Sequence, residues 1–400
     1  MGYEERQIEV AELETGMYVC RLDRSWEGTP FPLQGFLLQD EDQFAWLRAH
    51  CCSVHIDIER GRAPRERRRP DTVAPETLLG SVRHENSPFD AALPGARRAH
   101  ETASQLAARI LDDVRAGHKL AWNDVEAAAA PIVESVLRNA DTLLWVHALQ
   151  RRGAYAYGHA IHCSALAAAF GRHLGLPAAL LVDLAAGGLL LDVGKARIDE
   201  GLLLHPGPLD AAQTQEVRGH VALGQRMLED AGQHAPAVLD MLRTHHERWD
   251  GSGYPLGLQG TAIPLFGRMA GLVDSFDAMT SVRPYAKTLA RHEALQEIYR
   301  ARDSLYQGEL VEQFIGCLGV YPTGSLVELS TGEVAVVMAQ NTARRLRPLV
   351  MLLTGPDKRL RGGFLPLDLM AQPDDGPDCI RIAHPLPVGA FGLDPAELYL

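Results

Sequence analysis

Four hundred residues, 46% hydrophobic and 22% charged, describe an ordinary globular chain long enough for two or three domains with real cores. A formal charge of −12 argues against a partner such as duplex nucleic acid, which needs a positive surface, but leaves room for a local basic pocket and a small anionic nucleotide. The opening residues MGYEERQIEV carry no basic apolar signal segment, and the longest apolar run, AALLVDLAAGGLLL, includes Asp183 and is too short to span a bilayer. No membrane insertion is expected, and the location is expected to be cytoplasmic. The six cysteines form no CxxC pair and read as reduced thiols.

In chain order, short alternating runs broken by Gly and Pro between Ile8 and about Ile58 predict a β-rich N-terminal module, residues 1–70, with one helix across Asp40 to His50. GRAPRERRRP, Gly61 to Pro70, reads as a solvated basic run, and a linker over 71–96 follows it. Helical patterning then covers 97–320. One amphipathic segment runs from about Arg97 to Gly117. A second runs from Asn123, a candidate N-cap, toward Gln150, with Pro131 a candidate kink. Past Tyr321, GSLVELSTGEVAVVMAQN alternates around a Ser-Thr-Gly turn and predicts a hairpin, and RPLVMLLTG adds a strand. Residues 321–400 are therefore expected to form a short β-rich appendage on a mainly α chain.

The chemistry concentrates in HHERWDGSGYPLGLQG, His245 to Gly260. Imidazoles beside carboxylates suit a divalent transition metal, and Gly251 and Gly253 let the backbone turn tightly next to them. His245, His246, Glu247, Asp250, Gly251, Gly253, Tyr254 and Pro255 together resemble the long motif of the HD-GYP family, a branch of the HD metal-dependent phosphohydrolases. The likeness continues through Gly257, Leu258, Gly260, Arg268 and VDSFDAMTSVRPY, and runs from Tyr155 to about Gly319. GMYVCRLDRSWEGTPFPLQGF is similar to a domain of unknown function that often precedes HD-GYP domains.

The resemblance implies an HD-domain helical bundle with metal ligands His159, Asp192, His220, His245, His246 and Asp274. It also exposes a departure. The family's His-Asp pair stands here as Leu191-Asp192, so one metal position loses a ligand while Asp192, His220, His245 and His246 keep the other complete. Tyr155 stands where some members carry a ligating Glu, and His162 is not a family ligand position. The cofactor implied is one or two divalent ions, with Fe, Mn, Ni and Zn undistinguished.

The activity implied is hydrolysis of cyclic di-GMP to pGpG or GMP at a reduced rate. Asp192 and Lys195 would act at the reacting phosphate, and Lys195, Gly253, Tyr254, Pro255 and Arg283 would bind substrate. Ala286 stands where the family has a basic residue. The competing reading is a non-hydrolytic cyclic di-GMP sensor or partner-binding module, with signalling proteins as partners. A homodimer is compatible with either.

Overall fold

The computed structural model describes residues 5–10, 13–22, 29, 31, 35–51, 53–57, 60–61, 86–149, 155–205, 207–232, 235–281, 288–341, 343–374, 376 and 379–397. The chain divides into two compact units, Met1–Val73 and Ala74–Leu400.

The first unit is a four-stranded antiparallel sheet carrying one helix. Strands β1 (Glu5–Glu9), β2 (Tyr18–Leu22), β3 (Phe36–Leu37) and β4 (Ser53–Asp57) line up in the order β1-β4-β2-β3. Alternation in β4 turns Val54 and Ile56 into a core with Val19, Phe36 and Leu38. Helix α1 (Glu41–His50) adds Phe44 and Leu47 to that core, and it starts where the sequence places it because Asp40 and Gln43 form a reciprocal capping box.

The second unit opens with α2 (Phe89–Arg115) and α3 (Trp122–Leu149), packed along each other. Two boundaries differ from the sequence reading. Helix α2 begins at Phe89 rather than near Arg97 and accommodates Pro94 in its second turn. Helix α3 begins at Trp122, so Asn123 is inside it, and its interruption falls at Asn139 rather than Pro131. Asn139 leaves the helical region (φ −165°, ψ 107°) because its side chain has better partners. Its Nδ2 donates to Ser87 O at 2.9 Å and its Oδ1 accepts from Thr142 N at 3.3 Å, so Asn139 caps the second half of α3.

Helices α4 (Tyr155–His173), α5 (Ala178–Leu190), α6 (Glu200–Leu203), α7 (Ala211–Arg218), α8 (His220–Asp230), α9 (Pro236–Thr244), α10 (Leu265–Thr280), α11 (Arg291–Arg300) and α12 (Gly308–Leu318) complete the bundle. Helix α4 is buried from His159 to Arg172 and packs on α3, α5, α10 and α12. Its alanines allow that many neighbours to approach. No helix among the described residues is long and apolar enough to cross a membrane.

The last five strands, β5 (Leu326–Leu329), β6 (Val334–Ala339), β7 (Leu349–Thr354), β8 (Leu360–Asp368) and β9 (Ile382–Pro385), form an antiparallel sheet in the order β8-β7-β6-β5-β9. The expected hairpin is β5 and β6, pairing Leu326 with Val336. Strand β6 does not alternate in burial. Val334, Val336 and Met338 pack in a cluster with Trp145 of α3, whereas Ala335 and Val337 join Val350 and Leu369 on the other face.

Asp141 of α3 ties this sheet to the bundle, accepting hydrogen bonds from Thr323 Oγ1 at 3.1 Å and Gln340 N at 3.0 Å. Burial raises its pKa to about 6. Because the folded value lies above the unfolded one, the folded chain binds the extra proton. This group's contribution therefore declines as pH rises from about 4 through 6, a span worth up to about 3 kcal/mol. Asp141→Asn is expected to flatten that slope. Melting temperatures at pH 4.5 and 7.5 check it, and an unchanged difference between wild type and variant would count against the assignment.

Candidate metal centre

Six side chains from five parts of the bundle meet at one end of α4. His159 lies in its first turns. Asp192 follows α5, whose C-terminal residue is succeeded by Leu191, and opens a 3₁₀ turn over Val193–Arg197 that carries Lys195. His220 is the first residue of α8, His245 and His246 follow α9, and Asp274 lies on α10. Gly194 lets the turn and α8 touch: a Cβ there would lie 2.0 Å from His220 O, so any side chain would push His220 away from Asp192.

Two ligand sets result, and Asp192 belongs to both. Single donor atoms of Asp192, His220, His245 and His246 all lie within 4.8 Å of one another, as do those of His159, Asp192 and Asp274. Asp192 Oδ1 is 3.3 Å from His220 Nε2 and 3.9 Å from His245 Nε2. Its Oδ2 is 3.3 Å from His159 Nε2 and 2.5 Å from Lys195 Nζ. Asp274 adds Oδ1 at 3.6 Å from His159 Nε2 and Oδ2 at 3.8 Å from His246 Nδ1.

The imidazoles are oriented by the backbone. His220 Nδ1 lies 2.7 Å from Val217 O, and His245 Nδ1 lies 3.0 Å from Leu242 O. A carbonyl only accepts, so each ring carries its proton on Nδ1 and turns an Nε2 lone pair into the centre. Burial pushes the His220 pKa down to about 4 and lowers those of His245 and His246. These three rings are therefore neutral near pH 7, the form that binds metal. Burial opposes ionisation of Asp192, but Lys195 first, and then His159, outweigh it and hold the carboxyl well below its usual range.

The donor set suits a divalent ion. Asp192 Oδ1 and His246 Nε2 are buried without a hydrogen-bond partner, a costly arrangement that a cation held by their ligand set would relieve. Three neutral imidazoles and a carboxylate match the preferences of a borderline transition metal.

The acids of the long motif do something else. Glu247 is buried and staples the glycine-rich loop, accepting from Leu256 N at 2.7 Å and Leu258 N at 2.9 Å. Asp250 accepts from Ser252 N at 2.9 Å. Tyr254 stacks on His246 with ring centroids 4.6 Å apart, and the Arg218 guanidinium lies 4.5 Å from the tyrosine ring centre. The Tyr254-Pro255 peptide is cis. Gly253 has no room for a side chain: a Cβ would sit 2.4 Å from Arg248 N and 2.5 Å from His246 O. Gly253→Ala is therefore expected to displace the loop and cost about 1–3 kcal/mol, as overpacking typically does. Thermal unfolding checks this, and an unperturbed melting temperature would contradict it.

His162, buried one turn beyond His159, joins neither ligand set. Its Nδ1 is 2.5 Å from Asp277 Oδ1, and its ring stacks on His147 at 4.2 Å. It does not fill the gap left by Leu191, which is itself 1% exposed. Asp277 is the residue the sequence reading passed over. Its one signal was its place a helical turn after Asp274 in VDSFDAM. Arg283, Ala286 and the Tyr155 side chain lie outside the described residues.

The family described as HD domain matches residues 140–310, which contain all six candidate ligands, and Domain of unknown function (DUF3391) matches residues 5–125. A cyclic di-GMP phosphodiesterase of Pseudomonas aeruginosa is 32% identical over 349 residues, covering 86% of this chain and 84% of its own. A cyclic di-GMP phosphodiesterase of Thermotoga maritima is 37% identical over 145 residues, covering 36% and 39%. A 3'3'-cGAMP-specific phosphodiesterase of Vibrio cholerae is 34% identical over 161 residues, covering 40% and 30%.

Proposed function

The chain belongs to the HD-GYP family of HD-domain proteins, and from that premise we propose that it is a metal-dependent phosphodiesterase hydrolysing cyclic di-GMP to pGpG, GMP or both, at a rate reduced by Leu191. The observation that carries this reading is Asp192, whose two oxygens face the two ligand sets. His220, His245 and His246 complete one position with it, and His159 and Asp274 supply the depleted one. When bound, a divalent ion supplies Lewis acidity toward a phosphoryl oxygen and toward water.

The protein's own part is placement and charge. Lys195 keeps Asp192 ionised and, with its side chain one-third exposed, offers a positive charge to a phosphate above the centre. Buried His220 and His245 exclude water from beneath the ligand atoms, which strengthens every electrostatic contact there. Gly253, Tyr254 and Pro255 are assigned to the substrate side because Tyr254 stacks on His246, and the family likeness gives Arg283 the role of a planar fork to phosphate or guanine.

Leu191 favours a second reading, in which the chain binds the nucleotide without cleaving it. Product chromatography and calorimetry on one preparation separate the two. Hydrolysis of cyclic di-GMP that stops on chelation and resumes on adding a divalent ion supports the enzyme. Nucleotide binding without product from metal-loaded protein supports the sensor. Parallel incubation with 3'3'-cGAMP decides the preferred dinucleotide.

A further inference from the structure

Asp277 is 0% exposed on α10 and uses both carboxylate oxygens on imidazoles of a single neighbouring helix. Oδ2 lies 2.6 Å from His159 Nδ1 and Oδ1 lies 2.5 Å from His162 Nδ1, while Ser281 Oγ donates to Oδ1 at 3.1 Å. His159 and His162 are one turn apart on α4, so one carboxylate spans both. His162 is in turn held by its parallel stack on His147, whose Nδ1 lies 3.3 Å from His100 Nε2 of α2.

We propose that Asp277 is a positioning residue for the depleted metal position: it holds the proton of His159 on Nδ1 and so turns the Nε2 lone pair toward Asp192 and Asp274. This rests on the ligand reading given above. An imidazole can flip about its last side-chain bond, which puts Cε1 where Nε2 stood, and can carry its proton on either nitrogen, so only one orientation and one tautomer present a lone pair to the centre. A carboxylate that only accepts selects the Nδ1–H form. His159 Nε2 then stands 3.3 Å from Asp192 Oδ2 and 3.6 Å from Asp274 Oδ1. Such an outer carboxylate is typically worth ~10–100-fold in metal affinity. Here its weight falls on one position, because with leucine at 191 the described ligands there number three, against four at the other. His162 fixes the opposite oxygen and keeps Asp277 from swinging away.

A tie between α4 and α10 that served stability alone would have the same contacts, so the test must read the metal. Zinc binding to the chelator-stripped full chain is measured by calorimetry for wild type, Asp277→Leu, Asp277→Asn, His159→Ala and the Asp277→Leu/His159→Ala double variant. Leucine removes both acceptors at similar volume, and asparagine restores one of them. The expected result is a ~10–100-fold loss in the weaker class of sites for Asp277→Leu, a smaller loss for Asp277→Asn, and no change in the tighter class. In the His159→Ala background, Asp277→Leu should change nothing further.

Equal losses in both backgrounds would overturn the inference. So would an isotherm that His159→Ala alters and Asp277→Leu does not. An isotherm that His159→Ala leaves untouched would instead remove the ligand reading, and the inference with it. Should the Asp277 variants not fold, nitrogen NMR of zinc-loaded wild type decides: a His159 proton on Nδ1 is expected, and a proton on Nε2 overturns the inference.

Discussion

Asp192→Asn is expected to abolish cyclic di-GMP turnover and to strip metal from both positions. The side chain keeps its shape but loses the charge that three buried, neutral imidazoles cannot replace. Asp192 is also the one described residue shared by both four- and three-membered ligand sets. Lys195, 2.5 Å away, would be left without its anion and would repel a cation from the same place. The loss should exceed the ~10–100-fold typical for an outer partner, because this carboxylate faces the ion directly. Product formation and metal content, measured on wild type and variant together, read the result. Hydrolysis that continues unchanged in the variant would remove Asp192 from the chemistry, whatever the rate of the wild type.

Leu191→His is expected to do the reverse. Leu191 follows the last residue of α5 in helical conformation (φ −44°, ψ −48°) and immediately precedes Asp192. Histidine there would restore the His-Asp pair of the family and raise the depleted position from three ligands to four. Metal affinity at that position, and with it turnover, should rise by about 10-fold or more, the inverse of a lost partner. The site is 1% exposed, so the imidazole also brings a desolvation cost of roughly 1–3 kcal/mol that the metal must offset. The variant should therefore melt lower than wild type when metal-free and recover on adding zinc. A folded variant with unchanged metal content and turnover would place the deficit elsewhere.

What was legible in the sequence follows the locality of the physics. His245 to Pro255 is one contiguous loop whose glycines and paired imidazoles are adjacent by necessity, so its chemistry could be read directly. His159, Asp192, His220 and Asp274 are scattered over more than a hundred positions, and only the family likeness gathered them. Asp277 escaped both routes. An aspartate one turn from another on a helix is unremarkable until α4 is packed against it with two histidines aimed at it.

Glu247 is the opposite case, a motif residue whose part is structural. It sits in the metal motif, yet its oxygens are committed to Leu256 N and Leu258 N. In α3, local pattern offers Pro131 as the breaker, but the helix is interrupted at Asn139 because Ser87 and Thr142 offer it bonds that local pattern does not reveal. The continuous burial of β6 likewise depends on Trp145, distant in sequence, covering one face of the sheet.

If one metal position is complete, one is depleted, and the two together hydrolyse a cyclic dinucleotide, then metal loading and turnover are linked in two stages. Titrating chelator-stripped protein with a divalent ion while following cyclic di-GMP turnover and ions bound per chain tests it most directly. One tightly held ion is expected, with a second of much lower affinity, and turnover that depends on the metal and rises further as the second position fills. Saturating metal at both positions with no product, while cyclic di-GMP still binds, would contradict it and leave the non-hydrolytic sensor as the function of this chain.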